Sequence, residues 1–562
     1  MLGLVREMTK SHFLGTSAYA DAFGIAFMIP NLFRRLFAEN AISVAFIPTF
    51  RGYLKDCDGA TPATVADAGD STTGASAAGA SDGTVSALAP NGNGAGTASA
   101  TAPASASDAA TTAAAVHTTR DFLRATLTLV TFLTAVVVAV GIAATPLIVR
   151  LFSDTGESAV RAETALLTRI MFPYLTVISI AAFFQGVLNG VKIFAPSGFT
   201  PVLFNSIVIA ATYALSSRMA NPARAMAVGV VAGGCVQALF QLPFVVRTGW
   251  SCGFASLKAA FTNSGTRRVM ALIVPTIVGM AAYQLNDLVS TALAGRAGKG
   301  VVSSLQYSLR LQELILGIFA VSIGTVILPD LSGLAKSAAW ERFNAMLTQA
   351  LKIIAVISIP ITFFSLVCGE EIISLVYKSG SFDDNSVRLT LTAFRWHIAG
   401  LFFIALNRIL APAFYAQGNT KSPTLAGIIG FAVNIPLALV LVRPMRGGGI
   451  ALALSLASAV NSIVLFAFLR RTRTANVGRV ILRVTAYAAK LVLYSLIAAA
   501  AAYFVHQPVL ALCAGRGRLI AYGAPLVVTA LVFAAVGIAL LAVTHDSVMF
   551  AVVGMVKRKL KK

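Results

Sequence analysis

The stretch DAFGIAFMIPNLFRRLFAENAISVAFIP, residues 21–48, decides the fold class. It is apolar and longer than the roughly 20 residues that an α-helix needs to cross a bilayer. It nevertheless carries four ionisable residues, Asp21, Arg34, Arg35 and Glu39. A charged side chain at membrane depth is costly and is retained mainly where it faces a cavity or a partner. The stretch therefore predicts a membrane helix with one face turned toward an internal polar site.

The rest of the chain has the same character. Of 562 residues, 57% are hydrophobic and only 12% are charged, about half the charged fraction of a soluble domain, which is roughly 25%. Apolar runs recur from end to end, which predicts an all-α polytopic membrane protein of about fourteen spans. The predicted spans are a partial helix at 1–14, then 21–50, 121–151, 164–190, 197–217, 224–246, 268–295, 301–329, 346–367, 389–416, 423–442, 448–469, 485–505 and 520–543.

One long segment, residues 56–117, interrupts the apolar pattern. It is rich in Ala, Ser, Thr and Gly, and it has almost no aromatic or large aliphatic residue. Such a composition buries too little surface to offset the entropy of ordering, so we expect a disordered loop. A role in partner docking is the alternative.

The net charge of +22 suggests nucleic acid as a first partner. However, the basic residues mostly lie between apolar runs, where they set topology and attract anionic lipid headgroups. We therefore expect no nucleic-acid binding. Basic residues accumulate in alternate loops, so the positive-inside rule places both termini and the 56–117 loop in the cytoplasm. The basic tail at 544–562, which ends in KRKLKK, lies on the same side.

The paired arginines in the deciding stretch have different environments. Asn31, Arg35 and Glu39 follow one another at i,i+4 spacing and share a helix face, so Arg35 and Glu39 are predicted to form an internal ion pair. Arg34 points about 100° away from Arg35 and has no obvious local counter-charge. A guanidinium in a cavity suits phosphate through paired hydrogen bonds, so Arg34 is the first candidate for an anionic ligand.

Further ionisable residues occur in other spans. Arg310 and Glu313 are spaced to pair on one helix face, while the sharper hypothesis turns Arg310 toward the same cavity as Arg34. Arg6 and Glu7 form a doublet near the start, for which an interfacial ion pair is the alternative. Asp287, read as an unpaired carboxylate, is a candidate to titrate or bind a cation.

No catalytic motif is present: the chain has no Walker A loop, no HExxH and no GxSxG, and its five histidines and five cysteines are dispersed. We therefore expect a transporter without cofactor or metal rather than an enzyme. Transport would be driven by an ion gradient, the membrane potential or the substrate gradient.

Four segments carry a resemblance to a known family. Residues 21–48 resemble the signature of the MurJ/MviN family of lipid II flippases, within the MOP exporter superfamily. The resemblance continues through FPYLTVISIAAFFQGVLNG, SLQYSLRLQELILGIFAVSIGTVILP and NRILAPAFYAQGNTKSPTLAG. It covers nearly the whole chain outside the insertion.

The resemblance implies a fold with two six-helix lobes around a central cavity and two further C-terminal helices that form a groove for a lipid tail. In this chain the lobes would be residues 1–217 and 224–469, and the extra helices 485–543. The implied activity is flipping of undecaprenyl-diphosphate-linked lipid II to the periplasmic leaflet of the bacterial inner membrane by alternating access, for cell wall synthesis. The implied partners are lipid II, membrane lipids and cell-wall synthesis proteins, and we expect a monomer.

By position, the resemblance carries the family's cationic cavity over to Arg6, Arg34 and Arg310. Asp21, Glu39 and Glu313 match acidic positions of the family, and Glu7 stands where the family has aspartate. The family begins earlier, with a Ser-Arg pair before the opening Leu-Gly, so the first helix is expected to be truncated here.

In some members an acidic residue of the seventh helix contributes to a sodium site. Ser290 stands there in this chain, with Asp287 one turn away, and Asn434 has Ala438 where an acidic partner would stand. Asp287 and Asn434 remain the ion-coupling candidates, and the coupling ion stays open between sodium and the proton. The alternative functions are an exporter of another polyprenyl-linked glycan or a drug, and a non-transporting membrane scaffold.

Overall fold

Long apolar helices follow one another through the protein. The computed structural model describes residues 2–36, 42–57, 106–152, 158–250, 253–471, 477–546 and 548. For residues 43–44, 106–110, 274–283 and 318–328 it describes the backbone alone. Within this part of the chain all regular structure is helical.

The helices are numbered in chain order. They are α1 (Leu2–Leu14), α2 (Ala18–Phe33), α3 (Ile47–Asp56), α4 (Ala106–Ala143), α5 (Thr145–Phe152), α6 (Ser158–Met171), α7 (Tyr174–Gly190), α8 (Ala195–Leu215), α9 (Pro222–Arg247), α10 (Leu257–Thr262), α11 (Ser264–Ala297), α12 (Val301–Lys336), α13 (Trp340–Val367), α14 (Gly369–Tyr377), α15 (Asp384–Ala399), α16 (Leu401–Ala416), α17 (Lys421–Met445), α18 (Gly447–Leu469), α19 (Val477–Cys513) and α20 (Ala524–Val543). Short π-helical segments, Ile42–Phe46 and Leu519–Gly523, precede α3 and α20.

A serine precedes the start of α2, and a glycine precedes the start of α12. The Ser17 side chain accepts a hydrogen bond from the Ala20 N–H and caps α2. Gly300, which precedes α12, has a φ of +83°. That left-handed conformation suits glycine because it lacks a Cβ. Both helix starts lie at one end of the molecule, where α2 and α12 approach each other.

Most of the predicted spans are confirmed. Nine helices in the described part of the chain are long and apolar enough to cross a membrane, and the bent pair α15–α16, with a 45° break, makes up to ten. The count of fourteen is not confirmed. Predicted span 1–14 corresponds to a helix of 13 residues. The predicted spans 21–50, 268–295 and 301–329 each include residues or side chains outside those described.

The predicted C-terminal boundary of the 56–117 loop was wrong. Helix α4 begins at Ala106, so residues 106–117 are helical and continue without a break into the span. Alanine has the highest helix propensity, and this segment contains several. The prediction of disorder for residues 58–105 lies outside the described residues.

The helices pack as two bundles. In the N-terminal bundle (α1–α9), α9 packs on α7 and α8, and α2 packs on α6. In the C-terminal bundle (α11–α18), α12 packs on α15 and α16, and α17 packs on α18. Helices α19 and α20 pack on each other, and α19 lies along α13.

Each bundle has its own buried core. Phe46, Phe183 and Trp250 are fully buried in the N-terminal bundle. Tyr307 and Phe394 are fully buried in the C-terminal bundle. Burial of a large aromatic side chain stabilises a fold by about 1.5–3 kcal/mol. A further buried apolar cluster joins the two bundles where α2 meets α11 and α12.

Candidate functional site

A charged cavity lies between the two bundles. It has a volume of about 180 Å³, and its walls come from α1, α2 and α9 on one side and from α11 and α12 on the other. Its charged lining residues are four cations and three carboxylates. They are Arg6, Lys10, Arg35, Arg310, Glu7, Asp287 and Glu313.

Ion pairs organise most of these charges. The Arg6 guanidinium donates to Glu7 Oε1 at 2.8 Å, and the two side chains are only 13% and 9% exposed. Arg310 donates to Glu313 Oε2 at 2.7 Å, and its Nε lies 3.8 Å from Glu7 Oε1. The Glu7 carboxylate therefore links an arginine of α1 to one of α12. A buried charge is tolerated when it is paired in this way.

A third ion pair crosses the same cavity. Arg35 Nη1 lies 3.6 Å from Asp287 Oδ2, so α11 faces the segment that follows α2. The prediction of Asp287 as an unpaired carboxylate was therefore wrong, because its partner comes from a distant helix that local spacing does not indicate. The predicted partner of Arg35, Glu39, lies outside the described residues.

Arg34 and Arg310 do not share a cavity, contrary to the sequence prediction. Arg34 lines a second cavity of about 230 Å³ inside the N-terminal bundle, among polar residues of α7, α8 and α9 such as Gln185 and Gln237. Its Nε donates to Asn31 Oδ1 at 3.0 Å. Because consecutive helical residues point about 100° apart, Arg35 takes the face toward Arg310. Asn31, one turn before Arg35, lines the central cavity with it.

Asp21 connects the bundles rather than lining the cavity. Its carboxylate accepts from the Gly300 N–H at 2.6 Å, the Ser303 N–H at 2.8 Å and the Ser303 hydroxyl at 2.7 Å. Three N–H and O–H donors at the start of α12 thus converge on one carboxylate of α2. A negative charge is favourable at a helix N-terminus, where the N–H groups are unsatisfied within the helix.

Neighbouring contacts close the same end of the cavity. The Tyr307 hydroxyl donates to the Gly15 carbonyl at 3.0 Å, and the Ser381 N–H donates to the His12 carbonyl at 2.8 Å. Thr16 and Ser386 hydroxyls lie 2.8 Å apart. We call this set of contacts, between residues 12–21 and residues 300–307 and 381–386, the latch.

Asn434 and Asp287 are not brought together. Asn434 Nδ2 donates to Asn286 Oδ1 at 2.6 Å and lies 3.4 Å from Ser290 Oγ. This amide cluster joins α17 to α11, while Asp287 turns into the central cavity. The two predicted ion-coupling residues therefore belong to different sites.

Three polar residues of the cavity were not predicted from the sequence, namely Lys10, Thr291 and Gln306. Lys10 is buried, its Nζ donates to Gln306 Oε1 at 2.7 Å, and it lies 5.7 Å and 5.1 Å from the ring centroids of Phe23 and Tyr307. The signal that could have found it is its spacing. Lys10 follows Arg6 by four residues and therefore lies on the same helix face.

The fold and the cavity together define a class: a polytopic membrane protein of the transporter type, with a cationic site between two helical bundles. Solved structures share this fold. One described as "Lipid II flippase MurJ, inward closed conformation" aligns with a TM-score of 0.72 at 21% identity, covering 98% of this chain and 97% of that one. A multidrug resistance MATE family transporter of the MOP superfamily aligns with a TM-score of 0.57 at 13% identity, covering 85% of this chain and 95% of that one.

Sequence comparison gives the family. The family model described as lipid II flippase MurJ matches residues 10–64 and 110–512. A probable lipid II flippase MurJ of Treponema pallidum is 44% identical over 97% of this chain and 93% of its own length. The lipid II flippase MurJ of Burkholderia cenocepacia is 31% identical over 84% of this chain and 80% of its own length. The chain belongs to the MurJ family.

Proposed function

We propose that this protein flips a polyprenyl-diphosphate-linked peptidoglycan precursor, lipid II, from the cytoplasmic to the periplasmic leaflet of the bacterial inner membrane by alternating access. The observation that carries the proposal is the central cavity with its four cations and three carboxylates. The excess of positive charge favours an anion. The relatives named as lipid II flippases supply the identity of that anion.

The arrangement of the cavity arginines would allow a diphosphate to replace the carboxylates that now contact them. Arg6 and Arg310 both lie near Glu7, so one carboxylate contacts both guanidinium groups in this structure. A diphosphate offers more acceptor oxygens and more charge, and guanidinium binds it through paired hydrogen bonds. Binding would then release Glu7 and Glu313 from the arginines. Lys10, one turn deeper on α1, would add a third cation.

The size of the cavity limits what it holds in this conformation. Sites for drug-sized ligands are typically about 300–1,000 Å³, so 180 Å³ admits a diphosphate but not the attached sugars and peptide. The bundles must separate for the headgroup to enter. With the amino terminus in the cytoplasm, the latch would lie at the periplasmic end, and opening would begin at the other end.

An apolar groove supports a lipid-linked substrate. It has a volume of about 330 Å³ and lies between α16, α18 and α19, with Phe402, Phe466 and Val484 in its walls. Arg470, an exposed residue, stands at its rim. A polyprenyl tail could remain in this groove while the headgroup crosses, so that no apolar surface of the tail would have to enter the polar cavity.

The test combines rescue of a cell depleted of its own flippase with a binding measurement on purified protein. Arg310→Ala and Arg6→Ala are expected to abolish rescue and to weaken binding of a polyprenyl diphosphate lipid by about 10- to 100-fold, because a hydrogen bond to a charged group contributes about 1.5–3 kcal/mol. Arg443→Ala is the matched control, since Arg443 is exposed and outside the cavity. Full rescue and unchanged binding by both cavity variants would contradict the proposal.

A further inference from the structure

A second cluster of reactive side chains lies outside the central cavity. Cys368, Glu371 and His506 each offer one metal-ligating atom, and these atoms all lie within 4.8 Å of one another. Cys368 joins α13 to α14, Glu371 lies on α14, and His506 comes from α19. The cluster therefore stands where α19 meets the C-terminal bundle.

All three side chains are buried, with exposures of 0%, 4% and 3% for Cys368, Glu371 and His506. Glu371 Oε1 lies 3.1 Å from His506 Nε2. Its other oxygen, Oε2, is buried and has no hydrogen-bond partner in the described part of the chain. An unsatisfied carboxylate oxygen in the interior is costly. A carboxylate oxygen of Glu371 lies within 4.8 Å of both the thiol and an imidazole nitrogen.

The surroundings of His506 are those of a metal-ligating histidine. Its Nδ1 lies 3.0 Å from the hydroxyl of Thr529, a fully buried residue of α20. Histidines that bind a metal through one ring nitrogen almost always hydrogen-bond through the other, which fixes the ring orientation. Here that outer contact exists, and the other ring nitrogen, Nε2, lies 3.1 Å from Glu371 Oε1.

We propose that Cys368, Glu371 and His506 form a transition-metal site, with zinc as the preferred ion. Thiolate, imidazole and carboxylate are the three ligand types that zinc takes, and calcium and magnesium prefer oxygen ligands alone. In a tetrahedral site with metal–ligand distances of about 2.0–2.3 Å, the ligand atoms are about 3.3–3.5 Å apart. The three ligand atoms lie within 4.8 Å of one another, so each pair has to approach by at most about 1.5 Å.

Zinc binding at this cluster changes the protonation of its ligands and leaves the site without net charge. The contact between His506 Nε2 and Glu371 Oε1 needs a proton on one of the two atoms, and Cys368 binds metal as the thiolate. Zinc binding therefore releases the thiol proton to solvent, and a proton on Nε2 of the neutral imidazole moves to Nδ1, which then donates to the Thr529 hydroxyl. A thiolate and a carboxylate then neutralise the dipositive ion, so the buried site carries no net charge. The metal would fasten α19 to the α13–α14 junction.

The experiment uses full-length protein purified in detergent and treated with a chelator. After dialysis against Zn²⁺, wild-type protein is expected to retain one zinc per chain more than Cys368→Ser or His506→Gln, and zinc is expected to raise the Tm of wild type only. Cys235→Ser, which changes a cysteine outside the cluster, is the control and should behave as wild type. Equal zinc content in wild type and Cys368→Ser would overturn the proposal.

A second, spectroscopic experiment keeps all three cluster residues, so its result does not depend on whether a cluster variant folds. In protein whose other four cysteines are replaced (Cys57→Ala, Cys235→Ser, Cys252→Ser and Cys513→Ser), Co²⁺ should give a thiolate-to-cobalt charge-transfer band that Zn²⁺ removes. Zinc uptake in buffers of different ionisation heat should release one proton per ion, from the Cys368 thiol. Absence of the band, with the protein monodisperse on gel filtration, would show that the cluster is a hydrogen-bonded network only.

Discussion

Removing the Asp21 carboxylate should open the latch. In Asp21→Ala the two N–H groups and one hydroxyl at the start of α12 lose their shared acceptor on α2. Hydrogen bonds to a charged group contribute about 1.5–3 kcal/mol each, but bonds that share one acceptor group are not additive. We therefore expect a loss of about 2–4 kcal/mol from the closed state. That loss moves the ratio of closed to open protein by about 30- to 900-fold.

A distance measurement across the latch checks this expectation. Spin labels at Tyr19 on α2 and Lys299 before α12, both exposed, report on the gap by pulsed electron paramagnetic resonance in a background without native cysteines. A closed population that outnumbers the open one by about a hundredfold would become comparable with it in Asp21→Ala. The distance distribution should then show a second, longer component.

Two variants sharpen the result. Asp21→Asn keeps one acceptor oxygen and should give a smaller open fraction than Asp21→Ala. Asp330→Ala removes an exposed carboxylate from the same α12 helix and should leave the distribution unchanged. An Asp21→Ala distribution identical to that of wild type would refute the assignment of Asp21 to the latch and would leave substrate contact as its role.

Three further perturbations test the cavity, the latch and the loop. Lys10→Met should weaken binding of a polyprenyl diphosphate by about tenfold, because a contact with one buried cation contributes about 1.4 kcal/mol or more to binding. Lys10→Arg keeps the positive charge and should keep most of the affinity. Equal affinity in both variants would count against Lys10 as a ligand. In Gly15→Ala a Cβ would lie 2.1 Å from the Ser381 carbonyl oxygen at a φ of +53°, so the same label pair should show an opened latch, with Gly3→Ala, which has open space, as control. Deletion of residues 61–101 should leave rescue of a flippase-depleted cell intact, and lethality of the deletion together with harmless Arg310→Ala would favour the scaffold function.

The membrane architecture could be predicted from the sequence because each span is a local signal. A run of about 20 apolar residues identifies itself without reference to the rest of the chain. For this reason the bounds of two helices, α9 (Pro222–Arg247) and α18 (Gly447–Leu469), were predicted to within a few residues. The 56–117 boundary failed because alanine is compatible both with a disordered segment and with a helix that extends beyond the membrane.

The cavity could be predicted only in part, because its pairings join distant helices. Periodicity separated Arg34 from Arg35 correctly but could not say which of the two faces the other bundle. The pairing of Arg35 with Asp287 and the linkage of Arg310 to Glu7 join residues about 250 and 300 positions apart, which no local pattern records. Lys10 was overlooked although its spacing from Arg6 was available.

The composition of the latch has an evolutionary consequence. Several of its partners are main-chain groups, namely the carbonyls of His12 and Gly15 and the N–H groups of Gly300 and Ser381. A point mutation changes a side chain but leaves those peptide groups in place. Compensating pairs of substitutions are then seldom required, so pairwise covariation across the latch should be weak among relatives. The charged cavity, where side chain meets side chain, should instead show coordinated changes.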